Sequence, residues 1–94
     1  MNRKEIARRL IFAADLPDMA VPGMPLIEIY GQERVLIENH QGVTQYGEDR
    51  ILIRVKYGEI CVSGCDLELA RMSKCQLVIT GSIRNVSLCG GARE

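Results

Sequence analysis

Arg50-Ile51-Leu52-Ile53-Arg54-Val55-Lys56-Tyr57 is the stretch that decides the fold. Ile51, Ile53, Val55 and Tyr57 fall on one side of an extended chain. Arg50, Arg54 and Lys56 fall on the other. A period of two with one apolar and one charged side marks a strand of an antiparallel sheet whose outer side meets water. Gly58-Glu59 then makes a tight connection into a second strand over Ile60 to Ser63. On the N-terminal side, Gly47-Glu48-Asp49 is a turn, preceded by a short strand over Val43 to Tyr46.

Further outward the pattern repeats. Leu26 to Tyr30 and Val35 to Asn39 alternate, separated by a turn at Gly31-Gln32-Glu33. Gly64-Cys65-Asp66 turns the chain again. Leu67 to Met72 fits a strand followed by a turn, though Glu68, Leu69, Ala70, Arg71 and Met72 are also good helix formers. Gln76 to Thr80 is a strand, Gly81-Ser82 a turn, and Ile83 to Leu88 a closing strand. The spacing predicts about seven or eight short strands, hence a small antiparallel β-sandwich, barrel or β-roll. Gly31, Gly58, Gly64 and Gly81 each end one apolar run and precede another. Their expected role is in the backbone, as tight bends or positive φ. They match neither a Walker sequence nor GxGxxG.

Residues 1–16 read differently. Asn2 suits an N-cap and Glu5 the acid of a capping box. Ile6, Leu10, Ile11 and Ala14 make one apolar stripe at helical spacing, with Arg3, Lys4, Arg8 and Arg9 around it. The helix should stop near Leu16, ahead of Pro17. Two uses are open: docking of the stripe on the sheet, or contact with anionic lipid or a partner protein. Pro17, Pro22, Gly23 and Pro25 make residues 17–25 a stiff linker. Residues 26–89 then form the β-domain and 90–94 a tail, one domain overall.

Composition narrows the function. The 94-residue chain is 47% hydrophobic, with one Phe, three Tyr and no Trp, so its core is aliphatic. Twelve basic and twelve acidic residues balance. Nucleic-acid binding normally shows a basic excess, and none is present. A near-neutral surface does little to oppose self-association. No apolar run is long enough to cross a bilayer, and the basic N-terminus lacks the apolar stretch of a secretion signal. The reading is cytoplasmic, with Cys61, Cys65, Cys75 and Cys89 as thiols. They form no CxxC pair and have no neighbouring histidine, so no metal site is expected.

Glu38-Asn39-His40-Gln41-Gly42 is the most polar cluster beside a strand. His40 is the sole histidine. Asn and His before Gly are ordinary turn chemistry. A catalytic use of His40 with Glu38 would need a nucleophile, a metal or a substrate pocket that the sequence does not show. The expectation is a turn or polar network, with a partner contact as the second reading. Asp49, Asp66 and Glu68 read as solvated turn acids.

At this stretch the chain resembles the YabP/YqfC family of sporulation proteins, closest to the YqfC type. The resemblance runs from about Leu16-Pro17 to Val86. It is carried by Pro25-Leu26-Ile27-Glu28-Ile29-Tyr30-Gly31, by Glu38-Asn39-His40-x-Gly42 with Tyr46, by Ile51 to Val55, by Gly58-x-Ile60-x-Val62-x-Gly64, by Leu67 and by Ile79-x-Gly81-x-Ile83. Gln41 stands where a basic residue is expected, and the cysteines are peculiar to this chain. The resemblance implies a protein of endospore-forming bacteria, made in the mother cell and used in building the spore envelope. It implies no enzymatic activity and no cofactor. It nominates Glu38, Asn39, His40, Gly42 and Tyr46 as a functional surface. The reading is then a non-enzymatic assembly factor, a homo-oligomer or a partner-binding protein, with peripheral membrane contact possible at the forespore. The alternative is a small module binding anionic lipid or nucleic acid through Arg3, Lys4, Arg8 and Arg9, joined by Arg50, Arg54 and Lys56.

Overall fold

The computed structural model describes residues 23–90. The expected N-terminal helix, with Arg3, Lys4, Ile6, Arg8, Arg9 and Leu10, lies outside the described residues. Among the described residues there are six strands: β1 (Leu26–Tyr30), β2 (Arg34–Glu38), β3 (Val43–Tyr46), β4 (Arg50–Val55), β5 (Gly58–Met72) and β6 (Gln76–Cys89). They make a single antiparallel sheet in the order β1-β2-β6-β5-β4-β3. Mainly β was the expectation, and mainly β is the result. Sandwich, barrel and roll are narrowed to one continuous sheet. Its outer strands β1 and β3 do not pair with each other, so no closed barrel forms.

Two strands are far longer than their sequence suggests. Gly64-Cys65-Asp66 and Gly81-Ser82 are not turns between strands. The chain runs on through both, and β5 and β6 stay paired from Glu59 opposite Cys89 to Met72 opposite Leu77. The register shifts between Ser63 and Gly64, between Cys65 and Glu68, and between Leu69 and Arg71. Such bulges bend a strand and sharpen its twist without ending it. A turn and a bulge draw on the same residues, which is why Gly-Cys-Asp reads as the former.

The bends divide the sheet into two halves. In one, β4 pairs with β5 only over Gly58–Ser63. In the other, β2 pairs with β6 only over Gln76–Thr80. Val35 and Ile37 of β2, Leu77 and Ile79 of β6, Ile51 and Ile53 of β4, and Ile60 and Val62 of β5 are all fully buried in one cluster. A flat sheet would leave an apolar side in water. Bending at the bulges lets the two halves cover each other, the device by which strands turn a corner. Each fully buried Ile or Leu stabilises by roughly 1.5–3 kcal/mol relative to exposure.

Each bend is also fastened by a hairpin turn. The Gly64 and Leu67 amides donate to the carbonyls of Asp49 and Glu48, in the β3–β4 turn. The Gly81 and Ile83 amides donate to the carbonyls of Glu33 and Gln32, in the β1–β2 turn. Glycine is required at both bends by close approach. A Cβ on Gly64 would lie 1.9 Å from the Ser82 carbonyl oxygen, and one on Gly81 2.5 Å from that of Asp66. Tyr57 departs from the expected pattern in a different way. It sits in the turn at residues 56–57 with φ at +74°, half exposed, rather than on the buried side of β4. Gly58 accordingly begins β5.

Candidate functional site

Glu38, Asn39, His40 and Gly42 lie where the chain leaves β2 for β3, beside the β5–β6 turn at residues 73–75. Asn39 takes φ of +66°, a conformation Asn tolerates better than most residues. That twist turns the chain out of the β2 ladder and carries His40 over the hairpin end. The amides of Asn39 and His40 both donate to the Cys75 carbonyl. The Asn39 side-chain amide donates to the Met24 carbonyl at 2.8 Å. The Gln76 side-chain amide donates to Glu38 Oε2 at 3.0 Å.

His40 is 8% exposed and is the one buried polar or charged residue among those described. Its Nε2 donates to the Ser73 carbonyl at 2.9 Å. Its Nδ1 accepts from the Gly42 amide at 3.0 Å. A carbonyl can only accept and an amide can only donate, so the two bonds assign the Nε2–H tautomer. Both ring nitrogens are then occupied by backbone. Among the described residues no buried side-chain nitrogen or oxygen lacks a partner.

Past His40, the Gln41 amide donates to the Arg54 carbonyl, and the Arg54 amide donates to the Gly42 carbonyl. The motif thus ties the end of β2 to the β5–β6 turn and to β4. Its partners Ser73, Cys75 and Gln76 escape a linear reading. They lie more than thirty residues along, in a stretch that announces only a polar turn; the His40–Ser73 bond spans 33 positions. Ser73 in turn closes its own hairpin, its amide donating to the Gln76 carbonyl at 2.7 Å.

Tyr46 is not brought to this cluster. It stands at the far end of β3, opposite Ile51, and is 57% exposed. Arg50 and Arg54 project from the outer side of β4, where Arg54 faces Glu59 across the ladder, so the basic row is partly balanced. Gly31 serves the β1–β2 turn. Cys61 is half-buried and Cys65, Cys75 and Cys89 are exposed, all as free thiols. Among the described residues no three His, Cys, Asp or Glu side chains converge as metal ligands. Nor does any described helix have the length and apolar character to cross a membrane. One exposed pair alters a titration. The Tyr30 hydroxyl donates to Glu28 Oε1 at 2.6 Å, and this bond, with the carboxylate's charge, holds the tyrosine above its ordinary value.

The model of the YabP family matches residues 24–93, the whole sheet with both bends and the His40 clamp. The chain belongs to the YabP/YqfC family. Among curated proteins it is similar to the uncharacterized protein YqfC of Bacillus subtilis (strain 168), at 24% identity over 71 residues, covering 76% of each chain. No solved structure matches it. In this YabP/YqfC protein the Glu-Asn-His-x-Gly stretch is tied to the fold by the Asn39 side chain, both ring nitrogens of His40 and the amides of residues 39–42, and a Cβ on Gly64 or Gly81 would run into main-chain atoms.

Proposed function

We propose that this protein acts in sporulation as a non-enzymatic assembly factor of the spore envelope, working through β-mediated contact with itself or with a protein partner. Family membership supports the sporulation role. The observation that carries the non-enzymatic reading is the state of His40, whose two ring nitrogens are both spent on main-chain groups. The family motif therefore works on the architecture, holding the β5–β6 turn against the β2–β3 connection.

What remains for function is surface. The sheet ends in strands whose outer main-chain groups can pair with another chain. β1 carries Leu26, Ile29 and Tyr30, each about half exposed. β3 carries Tyr46. Such edges suit an extended segment of a partner better than a small substrate. In this reading the protein works in the mother-cell cytoplasm, at or near the forespore, without a cofactor.

The experiment is a pull-down with crosslinking from sporulating cells, comparing the native chain with Ile29→Lys on β1 and Tyr46→Lys on β3. Loss of a specific partner or of self-association in one edge variant, with the fold retained, supports the reading. Normal spores from cells lacking the protein would remove it.

A further inference from the structure

The two ends of the folded sheet are unequally filled, and the difference points to an intramolecular contact. Leu88 pairs across from Ile60, so it sits on the inward side of β6, the side that elsewhere builds the core. Ile60 is fully buried, yet Leu88 is 75% exposed. It borders a cavity of about 460 Å³ lined by Met24, Pro25, Val55, Tyr57, Leu88 and Cys89 among others. This is an apolar groove between the start of β1 and the end of β6, where residues 83–89 have a ladder partner on one side only. Beside β3, by contrast, His40 links the Gly42 amide, just ahead of that strand, to the Ser73 carbonyl, just past the end of β5.

We propose that the groove at Leu88 is the seat of this chain's own N-terminal segment, through the stripe of Ile6, Leu10 and Ile11. Three observations choose this occupant over a second copy. Met24 and Pro25 line the groove themselves, so the preceding residues start at its rim. Residues 17–23 reach about 23 Å when extended, more than enough to return the stripe to Leu88. A tethered segment also acts at an effective concentration in the millimolar range, far above a free copy of the chain. The stripe matches the groove in kind, aliphatic against Met24, Val55 and Leu88.

Leu88, on the inward side of β6, supplies the test site. In the full chain, Cys61, Cys65, Cys75 and Cys89 are replaced by serine and thiols are introduced by Leu88→Cys and Leu10→Cys. Mild oxidation at low protein concentration should link positions 10 and 88 within one chain. It should do so about tenfold or more faster than when the thiol is placed on the charged side by Arg9→Cys, because docking sets the local concentration. Equal rates from the two positions, or disulfides between chains as the main product, would overturn the proposal; the second result would give the groove to another copy. A parallel measurement covers misfolding of the cysteine variants. Leu10→Ser and Leu88→Ser, singly and together in the native background, should show non-additive unfolding free energies, whereas strict additivity would also overturn it.

Discussion

The two bends of the long β5–β6 hairpin are built alike, while the two ends of the folded sheet are not. At the bends, Gly64 rests against Ser82 and is bonded to Asp49, and Gly81 rests against Asp66 and is bonded to Glu33. At the ends, His40 spans one gap with bonds to two main-chain groups, and Leu88 faces the other gap in the open. The likeness shows what the fold cannot do without: two points where backbones touch and the sheet turns. The contrast shows where it has latitude. An end sealed by directional bonds to fixed main-chain partners is committed to one arrangement. An end bordered by aliphatic side chains accepts any apolar cover of suitable shape.

The largest expected effect tests the likeness. Gly64→Ala places a methyl inside the Ser82 carbonyl, a backbone group that cannot step aside. We expect a loss of about 4 kcal/mol or more, the exceptional range for a single substitution, seen as a chain that does not melt cooperatively in denaturant. Gly81→Ala should fall close behind, at about 3–4 kcal/mol, since it combines a 2.5 Å clash with φ of +133°. Gly31→Ala is the control. Gly31 has positive φ of +56° but nothing within 4 Å of a Cβ, so the loss should be only about 1 kcal/mol. If the two bend variants were as mild as the control, the bends would not be the paired corners described here.

The next effects sharpen the contrast between the ends. His40→Ala should cost about 2–3 kcal/mol by equilibrium unfolding, because it strands the Gly42 amide and the Ser73 carbonyl and leaves a void. His40→Phe refills the void without restoring either bond, and should recover less than half of that loss. Full recovery would show that the ring acts by volume alone. Asn39→Ala should cost about 1–2 kcal/mol, through the lost bond to Met24 and the positive φ. The smallest effect is on the surface. Glu28→Gln should bring the Tyr30 hydroxyl down toward its ordinary value in a spectroscopic titration. The sign follows from a raised value in the folded state. The Tyr30–Glu28 contribution is present below the unfolded tyrosine's range and is lost as pH rises through the folded one.

Much of this was readable from residue order, and the unreadable part has a physical cause. β4 shows itself because Ile51, Ile53 and Val55 recur with a period of two, which burial of one side demands; β1 shows itself by its run of strand-forming residues and the glycine turn after it, although none of its side chains is fully buried. Leu67 to Met72 was separable from a helix only by its period, and it is a strand. In the sequence the bends look like turns, because what distinguishes them is continuity of pairing across the hairpin, a relation between residues such as Gly64 and Ile83 that no local pattern carries. The polar character of Glu38 to Gly42 was evident, as was its fitness for a turn. What it binds was not, because Ser73 and Cys75 contribute main-chain carbonyls, and any residue type supplies one.

The pairing of β2 with β6 carries a kinetic consequence. Every other ladder joins strands that follow one another along the chain, from β1–β2 to the β5–β6 hairpin, and each can zip from its own turn. β2 must find β6 across 38 positions, the separation of Glu38 and Gln76. Closing such a span is entropically costly before any contact repays it. We expect the hairpins to form early and β2 to dock late, with substitutions such as Ile37→Val speeding unfolding while leaving the folding rate nearly unchanged. Because the His40 clamp joins the same distant segments, it would be among the last contacts made and would act as the latch on a sheet already assembled.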